Sequence, residues 1–459
     1  MLKSLCAKAL LAFSLVMPSI AVAATDAELT EIREQIKQIK ESYEARIRAL
    51  EDRLKAAETA ASLAPATASA PAVAGPSGPY AASTLAAFNP GISVVLQGSY
   101  ASLSQDPTQF AISGFRIGEE VGPGRRGLGL SESEISFLPN VDDKFYGNLT
   151  IALTPENEVE VEEAYGVLTA LPYGIVPKFG RFFSGIGYMN EQHQHVWDFK
   201  DAPLAYQAFL GTQFAQDGVQ LRWVAPTDAF LELGAEIGNG DSFPGSQRNS
   251  NGIGAGSVFV HAGGDVGPRV SWRAGVSFLR THASDRQAAQ LDTTRNIVQT
   301  AFAGTTKLAV ADFVWKFAPT GNAKEGNVKV QGEYFRARER GDLTYDSDGS
   351  LGLTQTDAYA SQQQGWYLQG VWQFLPMWRV GLRYDRLDPG SPEYGANAEF
   401  LATDPFDPRK TTAMLDYTPS EFSRFRLQYA QSKTRPEMTD NQLFLQYILT
   451  LGAHPAHRF

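Results

Sequence analysis

The chain has 459 residues and a single cysteine, Cys6, so no intrachain disulfide can brace it. Beyond its first two dozen positions it has no apolar run of the roughly 18 residues that a helical membrane span requires. A membrane barrel escapes that exclusion, because every second residue of a spanning strand can be polar. No Gly-x-Ser-x-Gly elbow, His-Glu-x-x-His pair or phosphate loop is present, and the Ser, His and Asp residues single out no triad. Those absences leave an enzyme reading without support. Positive charge is in deficit, with a formal net charge of −10, which argues against a nucleic-acid partner.

What is present begins with an export signature. Lys3 and Lys8 precede an apolar stretch from Ala9 to Met17, and Ala21-Val22-Ala23 offers an A-x-A cleavage site. Residues 1–23 therefore predict a secretory signal peptide. Cys6 lies upstream of the apolar stretch, misplaced for lipid attachment, so the mature chain has no cysteine. Loss of Lys3 and Lys8 takes the formal charge from −10 to −12. An exported chain without disulfides must find its stability elsewhere, and a closed sheet supplies it.

Residues 24–58 predict a coiled coil. Leu29, Ile32, Ile36, Ile39, Tyr43, Ile47, Leu50, Leu54 and Ala57 are spaced 3-4-3-4-4-3-4-3, with mixed charges between them. The doubled step of four around Tyr43 is a stutter, and the Ile-rich seam leans towards three strands. A single amphipathic helix is the alternative. Residues 59–87, with Pro65, Pro71, Pro76 and Pro79, predict an Ala/Pro-rich linker.

From residue 88 to 459 the period changes to two. At the far end Leu443, Leu445, Tyr447, Leu449 and Leu451 alternate with Gln442, Phe444, Gln446, Ile448 and Thr450. An apolar face opposite a mixed face suits a strand between lipid and a wet lumen. About sixteen such strands are expected, from 92–102 to 441–451. Short turns such as Pro139 to Asp143 and Pro226 to Asp228 alternate with long connections at 103–129, 184–216, 238–255, 281–305, 340–361 and 388–409. This predicts an all-β fold, an antiparallel transmembrane β-barrel with tight turns at one end and loops at the other.

Strand parity sorts the charges. Glu132, Glu134, Glu160, Glu162, Glu232 and Glu236 point inward from the earlier strands, and Arg273, Lys316, Arg379, Arg383, Arg424 and Arg426 from the later ones. Opposed sectors would set a transverse field across a water-filled lumen. Ion pairs that only hold the wall together are the alternative. Arg379 and Arg383 are the expected contacts for an anionic solute, since guanidinium offers forked donors. The long connection after strand 175–183 carries Tyr188, Asn190, His193, His195, Trp197 and Asp198, the expected constriction. His193, His195 and Asp198 could ligate a divalent metal, but two histidines at i, i+2 fall short of a ligand set, and no cofactor is assigned.

The stretches Phe88-Asn-Pro-Gly-Ile-Ser93, Gly180-Arg-Phe-Phe-Ser-Gly-Ile-Gly-Tyr-Met-Asn190, His195-Val-Trp-Asp-Phe199, Asp217-Gly-Val-Gln-Leu-Arg-Trp223, Pro419-Ser-Glu-Phe-Ser-Arg424 and the Leu451-Gly-Ala-His ending resemble a family of proteobacterial outer-membrane porins. Members are often labelled TonB-dependent or zinc-regulated. The plan is also distantly similar to phosphate-selective porins, trimers of sixteen-stranded barrels. The chain departs from a TonB-dependent receptor in having no room for an N-terminal plug. It departs from the phosphate porins in lacking a matching lysine ladder.

The resemblance implies a Gram-negative outer-membrane porin that passes small hydrophilic solutes, with a periplasmic coiled coil. A terminal Phe459 resembles the signal read by the barrel-assembly machinery. Outer-membrane lipid and two further copies in a homotrimer are the other expected partners. The alternatives are a channel for a metal ion or chelate and an envelope-tethering structural barrel. Deleting residues 24–87 is expected to leave the strand region folded but to abolish trimers, as checked by native mass measurement.

Overall fold

The computed structural model describes residues 91–452 apart from 119–120, 140, 249, 323–324 and 402–404. The expected signal peptide, coiled coil and linker, and the tail to Phe459, lie outside the described residues.

Alternating apolar and polar residues recur along the chain, and each run forms a strand. The first six are β1 (Gly91–Leu103), β2 (Gly127–Leu130), β3 (Ser133–Leu138), β4 (Phe145–Leu153), β5 (Val159–Leu168) and β6 (Ile175–Phe183). After one helix, α1 (Leu204–Leu210), come β7 (Ala215–Val224), β8 (Phe230–Gly238), β9 (Ala255–Val266), β10 (Val270–Leu291), β11 (Ile297–Phe317) and β12 (Val328–Tyr345). The last five are β13 (Gln355–Leu375), β14 (Trp378–Asp388), β15 (Arg409–Ser420), β16 (Ser423–Lys433) and β17 (Asp440–Gly452).

From β3 onward neighbours in sequence pair antiparallel, and β1 pairs with β17 on one side and with β2 and β3 on the other. The sheet closes on itself. β2 and β3 share the same edge of β1 and count as one crossing, so the seventeen strands make a sixteen-stranded barrel. Closure satisfies the backbone groups that an open edge would leave unpaired.

Two long connections expected from the sequence are mostly strand. β10 runs on to Leu291 and β11 starts at Ile297, while β12 reaches Tyr345 and β13 starts at Gln355. In place of loops at 281–305 and 340–361, the ladders continue, with one register shift between Ala283 and Arg286. The physical reason is that alternation persists there. Its inner side becomes aromatic, and Phe302, Leu343, Tyr345 and Tyr359 pack with Tyr394 and Leu401 into a cluster of their own.

The main core lies inside the barrel. Ile112, Phe115 and Ile117 from the connection after β1 meet Ile186, Met189, Trp197 and α1 from the connection after β6. Both pack on wall residues Leu279, Leu308, Val310, Phe335, Tyr367 and Leu387. Phe209 of α1 stacks on Phe335 with centroids 6.0 Å apart, and Phe115 meets it edge-on at 5.6 Å. All seven residues of α1 are buried, as expected of a helix enclosed on every side.

The outside is apolar too. On β10 the outward residues are Val270, Trp272, Ala274, Val276 and Phe278, and only then Arg280. On β14 they are Trp378, Val380, Leu382 and Tyr384, then Arg386. Leu382 and Val276 are each 64% exposed. The β10 run spans about 27 Å along the strand. Aromatic pairs mark its short-turn border, with Trp378–Tyr417 at 4.6 Å and Phe425–Tyr447 at 4.7 Å. At the other border Tyr384 meets Trp366 at 5.6 Å, and Tyr429 donates from its hydroxyl to Asn441.

Candidate pore constriction

The connection after β6, residues 184–214, turns into the lumen, and its own residues hold it there. Asn190 staples the two ends. Its Nδ2 donates to the Ser184 and Phe214 carbonyls at 2.9 and 2.8 Å, and its Oδ1 accepts from the Phe214 amide at 2.8 Å. Trp197 Nε1 donates to the Gln192 carbonyl at 2.7 Å. Gly187 has φ +68°, and a Cβ there would lie 2.3 Å from Glu333 Oε2. Only glycine allows that approach.

Glu333, from β12, is the anchor. It accepts from the Tyr188 and Met189 amides at 3.0 and 3.1 Å, from the Tyr206 hydroxyl at 3.0 Å and from the Tyr367 hydroxyl at 2.7 Å. Two further carboxylates come from the connection itself. Asp198 pairs with Lys329 at 2.8 Å and Arg379 at 3.1 Å. Asp201 pairs with Arg383 at 3.1 Å and Lys410 at 2.6 Å, and accepts from Gln428 at 2.7 Å. Asp385 accepts from the Leu204 amide at 2.9 Å, which fixes the start of α1.

On the opposite wall the connection meets acid. Glu236 accepts from Ser184 Oγ at 2.5 Å and the Gly185 amide at 2.8 Å. His195 Nδ1 is 2.9 Å from Glu134. His193 is surrounded: Nδ1 lies 3.1 Å from Glu162 and 3.2 Å from Glu134, and Nε2 lies 3.1 Å from Glu163. Gln194 donates to Glu132 at 3.1 Å. Glu232 pairs with His261 at 2.9 Å and Arg222 at 3.3 Å.

Glu162 and Glu163 are consecutive, yet both reach His193. The β4–β5 ladder passes from Thr150↔Glu163 to Ile151↔Val161, leaving Glu162 as an extra, bulged residue. Strict parity would put Glu163 on the lipid face, where a carboxylate is costly. Two adjacent glutamates in a strand were therefore a legible sign of a bulge. Glu160, expected inward, is exposed near the strand's start.

The other expected site residues fall as follows. Arg379 bridges Asp198 and Asp416, the latter at 2.5 Å. Arg424 Nη1 reaches the His195 carbonyl at 3.4 Å. Arg273 lies over the Tyr188 ring at 5.2 Å and 3.8 Å from Asp312. Lys316 is the register partner of Lys329. Glu134 and Glu236, buried against His195 and Ser184, depart from the expectation of solute contact, and so do Arg383 and Arg426. Each of these two arginine side chains is 1% exposed and locked onto aspartates, Arg383 on Asp201 and Asp385, Arg426 on Asp416. Asp198 is likewise consumed by Lys329 and Arg379. The carboxylates around His193 come from the wall instead, and among the described residues Glu134, Glu162 and His193 form a grouping that could hold a metal.

Three groups of the connection have shifted acidities. Burial works against the charged form of His193, but Glu134, Glu162 and Glu163 outweigh it and hold the imidazole well above the usual histidine range. Burial also opposes ionisation of Asp198 and Asp201. Lys329 and Arg379 beside the first, and Arg383 and Lys410 beside the second, pull both below the usual carboxylate range.

No protein-family model matches this chain. An uncharacterized protein of Aquifex aeolicus (strain VF5) is 30% identical over 406 residues, which cover 81% of this chain and 80% of that one. The chain belongs to that protein's family. Similar solved structures include a loop-deletion mutant of OmpT, an outer membrane protein of Vibrio cholerae, at 12% identity and TM-score 0.49 over 80% of this chain and 100% of that one. The outer membrane channel DcaP of Acinetobacter baumannii follows at 13% and 0.46, over 79% and 97%. An anion-selective porin from Comamonas acidovorans has 10% and 0.44, over 79% and 99%.

A carboxylate whose folded pKa is depressed stabilises above its unfolded value of about 3.9, and that stability is lost as pH falls through the folded value. The contacts of Asp198 and Asp201 are therefore expected to hold the connection docked from neutral pH down to about 4 and to weaken only in stronger acid. Limited proteolysis across that range, reading cleavage between 184 and 214, checks it. Asp198→Asn with Asp201→Asn should expose the same bonds at neutral pH.

Proposed function

We propose that this chain is an outer-membrane porin through which small hydrophilic solutes and ions diffuse past the inward connection. The observation that carries this is an unequal division of charge on the inner wall, once Glu333, Asp385 and Asp416, already bound to the connection or to arginines, and Arg222, paired with Glu232, are set aside. Glu134, Glu162, Glu163 and Glu232 project from β3, β5 and β8, with Glu132 just before β3, while Arg273, Lys316, Lys329, Arg379 and Arg424 project from β10, β11, β12, β14 and β16. These strands occupy opposite arcs of a closed sheet. Beside the connection the basic arc keeps exposed surface, with the side chains of Arg379 and Arg424 24% exposed and Lys329 21%, whereas on the acidic arc Glu134 keeps 1%, Glu162 10% and Glu232 12%, and His193 of the connection keeps 20%. Exposed charge beside a water-filled passage, inside low-dielectric walls, orients and sorts solutes by charge.

The outer surface supports the membrane location. Apolar residues at every outward position of the β10 run, bordered by aromatics and then by charge, form a belt that water would not favour and hydrocarbon would. In this reading the chain works as a homotrimer, with the coiled coil of residues 24–58 in the periplasm.

A second reading, a channel for a metal ion or chelate, is favoured by the histidine grouping. One ligand atom each from Glu134, Glu162 and His193 lie within 4.8 Å of one another. The 3.1 and 3.2 Å separations around His193 Nδ1 suit metal–ligand bonds of about 2.1 Å. Glu132 Oε1, in the same cluster, is buried without a hydrogen-bond donor.

In planar bilayers the full chain is expected to give open steps with weak ion preference, and folded protein without conductance would overturn both channel readings. Replacing Lys329, Arg379 and Arg424 by Gln should shift selectivity towards cations by about threefold or more. For the second reading, Zn2+ should modulate the wild-type current and not that of His193→Ala. Equal responses would remove the metal ion.

A further inference from the structure

The outer face of β10, β11 and β12 changes character at one level. Reading from the short-turn end, the outward residues are apolar or aromatic as far as Phe278, Ala309 and Tyr334. They then become Arg280, Lys307 and Arg336, followed on β12 by Arg338 and Arg340. Arg280 is the register partner of Lys307, Lys307 of Arg338, and Arg336 of Ala309. Five cations thus share one surface three strands wide, and all five are exposed.

Among the described residues none of the five has a carboxylate within ion-pair distance. Arg338 Nε donates to Gln362 at 3.0 Å, and Arg280 Nη2 lies 3.4 Å from His282 Nε2, neither of them an anion. Gln362 and Gln364 line the adjoining outward face of β13. The first carboxylate further along the face of β12 is Asp342. By contrast Arg386, where the apolar run of β14 ends, has its own counterion in Asp407 at 2.5 Å. Like charges on neighbouring strands repel. A cluster left without counterions in one place, beside a residue of the same kind that has one, asks for an external anion.

The position of the patch names the anion. It begins where the apolar belt ends, on the side of the long connections, at the depth where lipid headgroups meet water. Guanidinium forks match phosphate oxygens two at a time, and several such contacts can grip one multiply phosphorylated headgroup.

We propose that Arg280, Lys307, Arg336, Arg338 and Arg340 form a binding site for the phosphate groups of an anionic lipid in the leaflet on the long-connection side. This rests on the membrane reading above. The bound lipid would neutralise the patch and fix the bilayer border against β10, β11 and β12.

The full chain is inserted into phosphatidylcholine vesicles containing a minority of diphosphoryl lipid A, then exchanged into detergent, and retained lipid is counted by native mass spectrometry. Wild type should retain diphosphoryl lipid A and not its dephosphorylated form. The variant Lys307→Gln/Arg336→Gln/Arg338→Gln, whose side chains lie outside the core, should lose about tenfold or more of that retention. It should insert and resist heat as wild type does. Arg409→Gln/Lys433→Gln, elsewhere on the outer face, should retain as wild type. Equal retention by the triple variant, equal retention of the dephosphorylated lipid, or displacement by millimolar inorganic phosphate would overturn the lipid site. Insertion without lipid retention would sink this site alone, whereas failure to insert into any vesicle would sink the membrane reading with it.

Discussion

Eleven residue pairs, from Ser93↔Gly452 to Leu103↔Gln442, close β1 onto β17. The other contacts depend on that closure. A sheet whose outer face is apolar cannot bury that face within its own chain, so hydrophobic burial from outside does not hold this protein together. Stability must come from a ladder without edges and from what the ladder encloses. Closure also makes an inside. Residues as distant in sequence as Glu134 and His195, or Asp198 and Arg379, become neighbours because the wall curves round to meet the connection that leaves it.

The enclosed connection is held by two kinds of force in different places. Near α1 it is packing, with Tyr206, Phe209 and Leu210 set against Phe335, Tyr367 and Leu387. Towards the acidic arc it is charge, with His193 and His195 among glutamates. Buried ion pairs repay their desolvation only when geometry is good and remaining donors are satisfied. Here Arg383 and Arg426 meet two and one aspartates and further carbonyl oxygens. Those guanidiniums are structural. The cations with surface to spare are Lys329, Arg379 and Arg424.

Much of the fold was legible in the residues. All sixteen expected crossings occur, and the alternation of β10, β11, β14 and β16 assigned their inner and outer faces as the structure has them. The extent of the strands was less legible, because the pattern of β10 to β13 beyond the belt keeps its period while changing its composition, and turn-forming residues there resemble loop. Of the site, the inward position of Arg379, Arg424, Glu134 and Glu162 followed from parity. Glu333 did not stand out. It is one inward polar residue among many, and its significance comes from amides and hydroxyls of a connection more than a hundred positions earlier. Glu163 was hidden by the assumption of unbroken parity.

The amino-acid sequence by itself determined the period, and with it a barrel, its two faces and which charged residues each strand turns inward. These are local properties, since side-chain direction in a strand follows from position alone. Which charges are spent on one another was decided only by tertiary structure. Arg379 and Arg383 are indistinguishable as letters, four positions apart on one strand. One keeps 24% of its side chain exposed and the other 1%, because Asp201 of the connection and Asp385 of the wall converge on Arg383. Ion pairing depends on distances between segments far apart in the chain, and those exist only once the ring is closed.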